Sequence, residues 1–163
     1  MNLLETLFRS KVQKYNEKKY WKLRKRVVEK NNYPLLLKYM WLYYIKKCDA
    51  FNNASLGTHI GYGAKFETCP IFPHGLYGII VSHNAVIGSD VTIFHHVTIG
   101  EGTGGAPTIG KNCLIGAGAK IVGGIHIGDN VKIGANCVVV EDIPDNSTVV
   151  MNKPRIIIRD ELL

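Results

Sequence analysis

Six histidines and four cysteines stand out as candidates for chemistry in this 163-residue chain. His74 lies in "FPHGLYGII" (72–80). A neutral imidazole titrates close to neutral pH, so such a side chain can accept or donate a proton under ordinary conditions. His95 and His96 are neighbours in "IFHHVTI" (93–99), and two adjacent imidazoles raise the question of a metal. A zinc site needs further ligands at matched spacing, which His83 and His126 do not supply. Cys48, Cys69, Cys113 and Cys137 show no CxxC spacing, so neither a zinc cluster nor a redox pair is expected. The expectation is a site without metal.

The elements that must position these residues follow from a repeat. Ile87, Ile93 and Ile99 are six apart; after residues 100–108 the series resumes at Ile109, Ile115, Ile121, Ile127, Ile133 and Val139. Neither a helix, with period 3.6, nor an ordinary strand, with period 2, marks each sixth residue. The residue four after each anchor is also small or aliphatic, as at Val91, Val97, Cys113, Ala119, Ile125, Val131, Cys137 and Ile143. Two inward positions in six residues describe a short strand and a corner. Three such units close a triangular coil of eighteen residues, and coils stack about 4.8 Å apart. Gly follows the anchor at 88, 100, 110, 116, 128 and 134, where it is expected to relieve crowding at the turn. Cys113 and Cys137 are then small buried hydrophobes.

The register breaks twice. Ile60, Phe66 and Phe72 are six apart, but the next anchor, Val81, comes nine later, so residues 72–80 must bulge from the coil. Residues 100–108 form a second departure, Gly-rich and expected to be an exposed loop. A rigid prism interrupted at two places presents something there.

Residues 1–50 have a different character. They hold 13 Lys/Arg and 4 Asp/Glu, a formal +9, whereas residues 51–163 hold 7 and 9, a formal −2. From Asn2 to about Cys48 the pattern is helical, with Leu4, Leu7, Phe8, Val12, Tyr15, Trp21 and Val27 at apolar positions. "NNYP" (31–34) breaks it, and a second helix is predicted over Leu35–Lys47, its Trp41, Leu42, Tyr43 and Tyr44 packing inward. The boundary predicted is a basic helical segment over 1–50 and a β domain over 51–163. A basic segment attracts nucleic acid, anionic lipid or an acidic partner. With Tyr15, Tyr20 and Trp21 interleaved, the expectation is an anionic membrane surface on one side and a cap for the prism on the other, with no nucleic acid. Glu5 and Arg9 interrupt the first apolar stretch, and the longest apolar run is too short to span a bilayer. The location expected is cytoplasmic, at the inner face of a membrane.

These residues resemble the hexapeptide-repeat acyltransferases, whose left-handed parallel β-helix is built from such units. Within them, "HGLYGIIVSHNAVIGSDVTIFHHVTIG" and "APTIGKNCLIGAGAKIVGGIHIGDNVKIGANCVVV" resemble the serine acetyltransferase-like branch, which includes enzymes that acetylate bacterial surface sugars. The ending "VVMNKPRIII" resembles the family's close. The likeness covers about residues 56–157.

The resemblance implies a homotrimer, acetyl-CoA as donor, and His74 as the general base. It places the donor near Gly100, Ala117, Gly118 and Ala135, with Lys132, Lys153 and Arg155 toward its phosphates. For His95 the expected role is packing at the trimer interface, not zinc binding. Three departures bear on the acceptor. The position fifteen before His74, an Asp in serine acetyltransferases, is His59; the residue before His74 is Pro73; and "GAP" (105–107) replaces an Arg-His-Pro that recognises serine. The expectation is therefore O-acetylation of a sugar or polysaccharide intermediate. Serine O-acetylation is the alternative, and a noncatalytic β-helix that binds a partner is the third reading.

Overall fold

A computed structural model describes residues 14–153, Arg155 and Ile157. The predicted apolar positions Leu4, Leu7, Phe8 and Val12 lie outside the described residues, as does part of the "VVMNKPRIII" segment.

Among the described residues two helices come first. α1 (Glu17–Val28) is capped by Asn16, whose side chain accepts a hydrogen bond from the Lys19 N–H at 3.0 Å, so the predicted helical run is interrupted at this point. Lys14 before it has φ 48°, which no helix accommodates. α2 (Leu35–Phe51) begins after Pro34, as predicted, and runs four residues past Lys47. Trp41, Leu42 and Tyr44 pack against the core, while Tyr43 points outward and is 70% exposed, against expectation. Lys19 over Tyr44 and Arg26 over Trp41, at 4.4 and 5.2 Å from the ring centres, join the two helices.

The rest is a parallel β-solenoid of about five turns. A short antiparallel pair, β1 (Thr58–His59) and β2 (Tyr62–Gly63), precedes it. Three four-stranded parallel sheets follow as the faces of a prism. One contains β3 (Lys65–Phe66), β5 (Val86–Ile87), β8 (Thr108–Ile109) and β11 (His126–Ile127). The second contains β4 (Ile80–Val81), β7 (Thr98–Gly100), β10 (Lys120–Val122) and β13 (Val138–Val139). The third contains β6 (Thr92–Ile93), β9 (Leu114–Ile115), β12 (Lys132–Ile133) and β14 (Thr148–Val149).

Anchors pair with anchors. Ile87 lies beside Ile109; Ile93 beside Ile115, and Ile115 beside Ile133; Val81 beside Ile99, Ile99 beside Ile121, and Ile121 beside Val139. All nine predicted anchors from Ile87 to Val139 are buried, which makes the column of stacked aliphatics the core.

The corners differ from the sequence reading. The left-handed residue is the third after the anchor, and it is Asp90, His96, Asn112, Asn130 or Asn136, with φ between 52° and 58°. Asn and Asp tolerate this region because their short side chains bond locally. Here they also bond between coils, Asn112 Nδ2 to Asn130 Oδ1 at 2.9 Å and Asn130 Nδ2 to Asn146 Oδ1 at 3.0 Å. Gly after the anchor serves a different purpose. A Cβ at Gly88 would sit 2.7 Å from the Gly110 carbonyl of the next coil, so coil spacing excludes it.

α1 covers the first coil. Arg24, only 5% exposed, donates from Nη2 to the carbonyls of Leu56 and Ala64, at 3.0 and 2.7 Å, and from Nε to Thr58 Oγ1 at 3.1 Å. Its guanidinium lies over Phe66, and burial lowers its pKa to about 10. Carbonyls that a further coil would otherwise satisfy are thus met by one side chain.

Candidate active site

His74 stands in the predicted bulge, a run of turns over 73–78. The bulge is anchored by Leu76 and Ile79, both fully buried, and by the Gly78 N–H donating to the Asn52 carbonyl at 2.9 Å. His74 itself is exposed. Opposite it runs the corner between β6 and β7, which carries Phe94, His95 and His96. His74 Nδ1 is 2.8 Å from His95 Nδ1, the rings nearly parallel with centres 4.9 Å apart. Phe94 meets the His74 ring edge-on at 5.5 Å. Beyond His95, His96 packs edge-on against Tyr77 at 5.0 Å, and the His96 N–H donates to the Tyr77 carbonyl at 3.0 Å. Bulge and corner are therefore tied by backbone as well as by imidazole. His95, expected from the sequence to pack at an interface, is the one side chain within hydrogen-bonding distance of His74 among the described residues.

The repeat continues this corner upward. The Gly118 N–H donates to the His95 carbonyl at 3.0 Å, and the Asn136 N–H to the Ala117 carbonyl at 2.8 Å. Ala117, Gly118 and Ala135 thus rise in one column above His95, leaving a shallow, small-residue edge beside the imidazoles. Lys120 Nζ closes its side by donating to the His96 carbonyl at 2.7 Å. Gly100 is elsewhere: it ends β7 at the next corner, paired with Val122. Lys132 is exposed on β12, and Lys153 and Arg155 are exposed beyond β14. The structure groups three of the seven predicted donor residues with His74 and spreads the rest.

The loop at 100–108 is less free than the sequence suggests. Gly102 and Gly105 form a miniature antiparallel bridge, and the N–H groups of Gly123 and Gly124 donate to the carbonyls of Gly100 and Thr103. Its only charged residue, Glu101, accepts from Ser82 Oγ and Asn84 Nδ2 at 3.3 and 3.2 Å.

His59 does not orient His74. Its ring stacks on Tyr62 at 4.7 Å and meets His83 at 5.4 Å. Burial, with Lys46 and His83 adding repulsion, holds it below the usual imidazole value. Among the described residues no group of three or more His, Cys, Asp or Glu could hold a metal. A cleft of about 440 Å³ lies between α1 and residues 64–69, lined by Trp21, Arg24 and Phe66 but by neither His74 nor His95.

Comparison with known proteins concerns the repeat and the fold. Residues 106–140 match the family described as "Bacterial transferase hexapeptide (six repeats)". A serine acetyltransferase of Helicobacter pylori is 45% identical over 109 residues, covering 64% of this chain and 63% of that protein. The crystal structure of serine acetyltransferase isoform 3 from Entamoeba histolytica, in complex with cysteine, superposes with TM-score 0.64 at 29% identity over 78% of this chain and 46% of that one. A serine acetyltransferase in complex with CoA superposes with TM-score 0.58 at 34% identity, over 69% and 45%. Prism and repeat together resemble the hexapeptide-repeat transferases, whose family model matches residues 106–140. Within that class, the chain is similar in sequence and fold to serine acetyltransferases. It spans under two thirds of the Helicobacter relative and about half of the solved neighbours. These relatives are named for serine, whereas the sequence reading expects a sugar hydroxyl.

Proposed function

We propose that this chain is an acetyl-CoA-dependent O-acetyltransferase of the serine acetyltransferase type, with His74 as its general base. The observation that carries this reading is the exposed His74 ring, held against a rigid corner beneath the small-residue column of Ala117, Gly118 and Ala135. His74 Nε2 takes the proton of the acceptor hydroxyl as its oxygen attacks the thioester carbonyl. The tetrahedral intermediate collapses and expels the CoA thiolate, which receives that proton from the imidazolium. The products are an O-acetyl ester and free CoA thiol.

The donor's arm is assigned to the column above His95, where alanine and glycine let an extended chain lie close to the backbone. Lys132, Lys153 and Arg155 supply cations toward its phosphates. His74 sits on an open edge, so we assign its second wall to a neighbouring copy in a cyclic trimer.

Serine is the acceptor that the relatives support. A sugar hydroxyl is the second reading, favoured by the loop at 100–108, whose one charged residue is already engaged by Ser82 and Asn84. The test is release of CoA thiol from acetyl-CoA across free serine and a panel of glycans. Turnover with serine supports the first reading, and turnover confined to glycans supports the second. No thiol release above the acceptor-free rate with any member would overturn the enzymatic assignment and leave a binding protein.

A further inference from the structure

We infer that His95 is a positioning residue for the reaction, setting the tautomer and ring rotation of His74. The inference rests on the reading of His74 as general base. A general base of this kind usually has its distal imidazole nitrogen held by a carboxylate, which fixes both tautomer and orientation. Here the contact at 2.8 Å joins two nitrogens, His74 Nδ1 and His95 Nδ1. Such a bond needs one N–H and one lone pair. If His95 donated, His74 would spend its Nδ1 lone pair on that bond and carry its proton on Nε2, with no lone pair left for a substrate. If His74 donates, its Nε2 lone pair is free. A working base therefore requires His95 to be the acceptor, with its own proton on Nε2.

His95 is suited to that role because it belongs to the repeat and His74 does not. Its carbonyl is bonded by Gly118, and its ring lies between those of His74 and His96, at 4.9 and 5.5 Å. The bulge that carries His74 is pinned to the same corner through the Tyr77 carbonyl. At Gly78 a Cβ would run into His96 Nδ1, so the bulge can come this close only with glycine there. A corner fixed by coil stacking thus dictates the orientation of a ring on an irregular turn.

The test compares His95→Phe with His95→Asn in the full chain. Phe keeps a flat ring for stacking but cannot accept a hydrogen bond; Asn places its amide oxygen near the position of Nδ1 and can. The expected result is a fall in kcat of at least about tenfold for His95→Phe, with KM for acetyl-CoA and acceptor little changed. His95→Asn should keep kcat within a few-fold of the parent, and both variants should melt close to it. Wild-type kcat in His95→Phe, or equal loss in both variants, would overturn the positioning role while leaving the base assignment intact. Full activity in His74→Ala would instead remove the base assignment itself.

A separate observation carries a second inference. α2 turns Leu35, Leu36, Tyr39, Met40 and Tyr43 outward, each between 56% and 75% exposed, at spacing that places them in one stripe. Exposed Lys46 and Lys47 continue that face. Among the described residues no helix is long and apolar enough to cross a membrane. An apolar stripe within a segment of formal charge +9 matches an anionic lipid surface in both respects, and we propose that α2 lies on one. The full chain should sediment with phosphatidylcholine vesicles containing phosphatidylserine, less so as salt rises, and not with phosphatidylcholine alone. Leu36→Glu with Tyr43→Glu should abolish this without affecting acetyl transfer. Absence of sedimentation, indifference to lipid charge, or loss of self-association in the double variant without lipid would each overturn the proposal.

Discussion

At the scale of single residues, two buried or bonded groups have measurable consequences. His74 stands outside the repeating core, so His74→Ala creates no buried cavity. Its loss should lower the rate about 10²–10⁴-fold, with the thermal midpoint unchanged. Asp49 is the opposite case, a carboxyl only 3% exposed that accepts the Tyr20 hydroxyl at 2.7 Å on Oδ1. Its Oδ2 has no hydrogen-bond partner among the described residues. Burial raises its pKa to about 6, despite the opposing influence of Tyr20, Lys46 and Arg24. In the unfolded chain the same group titrates near 3.9. The folded state therefore holds the proton more tightly, and stability from this group is fully present below about pH 4 and lost as pH rises through about 6. The charged form costs the fold about 2–3 kcal/mol. Asp49→Asn keeps an oxygen for Tyr20 without the charge. Its urea midpoint should gain on the parent between pH 4 and 7, and a pH-independent difference would contradict this account.

At the scale of elements, the corner is the unit whose chemistry was hardest to read. The six-residue spacing of isoleucines made the strands and their inward faces legible, because burial leaves an apolar mark at a fixed interval. The corner leaves a polar mark, Asn or Asp three residues on, that reads like any surface residue until coils are stacked. Asn130 joins the side chains of Asn112 and Asn146 at φ 58°. Asn130→Ala should cost about 1–2 kcal/mol in chemical denaturation, from backbone strain and lost bonds. Asn130→Gly should cost less, since glycine removes the strain and forfeits only the ladder. The start of α1 was open to a better reading, for Asn16 is a capping residue in front of an acidic first turn. The partnership of His74 with His95 was not, because the bulge breaks the six-residue count between them. Spacing alone cannot say which corner a bulge returns to.

At the scale of the molecule, the chain joins a charged helical cap to a nearly neutral prism, and the proposed site lies on the prism's edge. A single prism gives His74 one wall. Light scattering at micromolar concentration should report three copies, and a monomer that retains full acetyl transfer would show that one wall suffices.

The register of the sheets also bears on how the chain comes off the ribosome. Strands that pair lie 18 residues apart in regular coils, as from Ile109 to Ile127, and 22 apart across the loop at 100–108, as from Ile87 to Ile109. A longer wait comes first: Arg24 meets its partner carbonyls only once Leu56 and Ala64 have emerged, 32 and 40 positions later. After that, every further turn needs about twenty new residues to reach a neighbour that is already in place. Synthesis at about 5–20 residues per second would add one coil every few seconds. Each coil is then the mould for the next, and the order of translation is also the order of assembly.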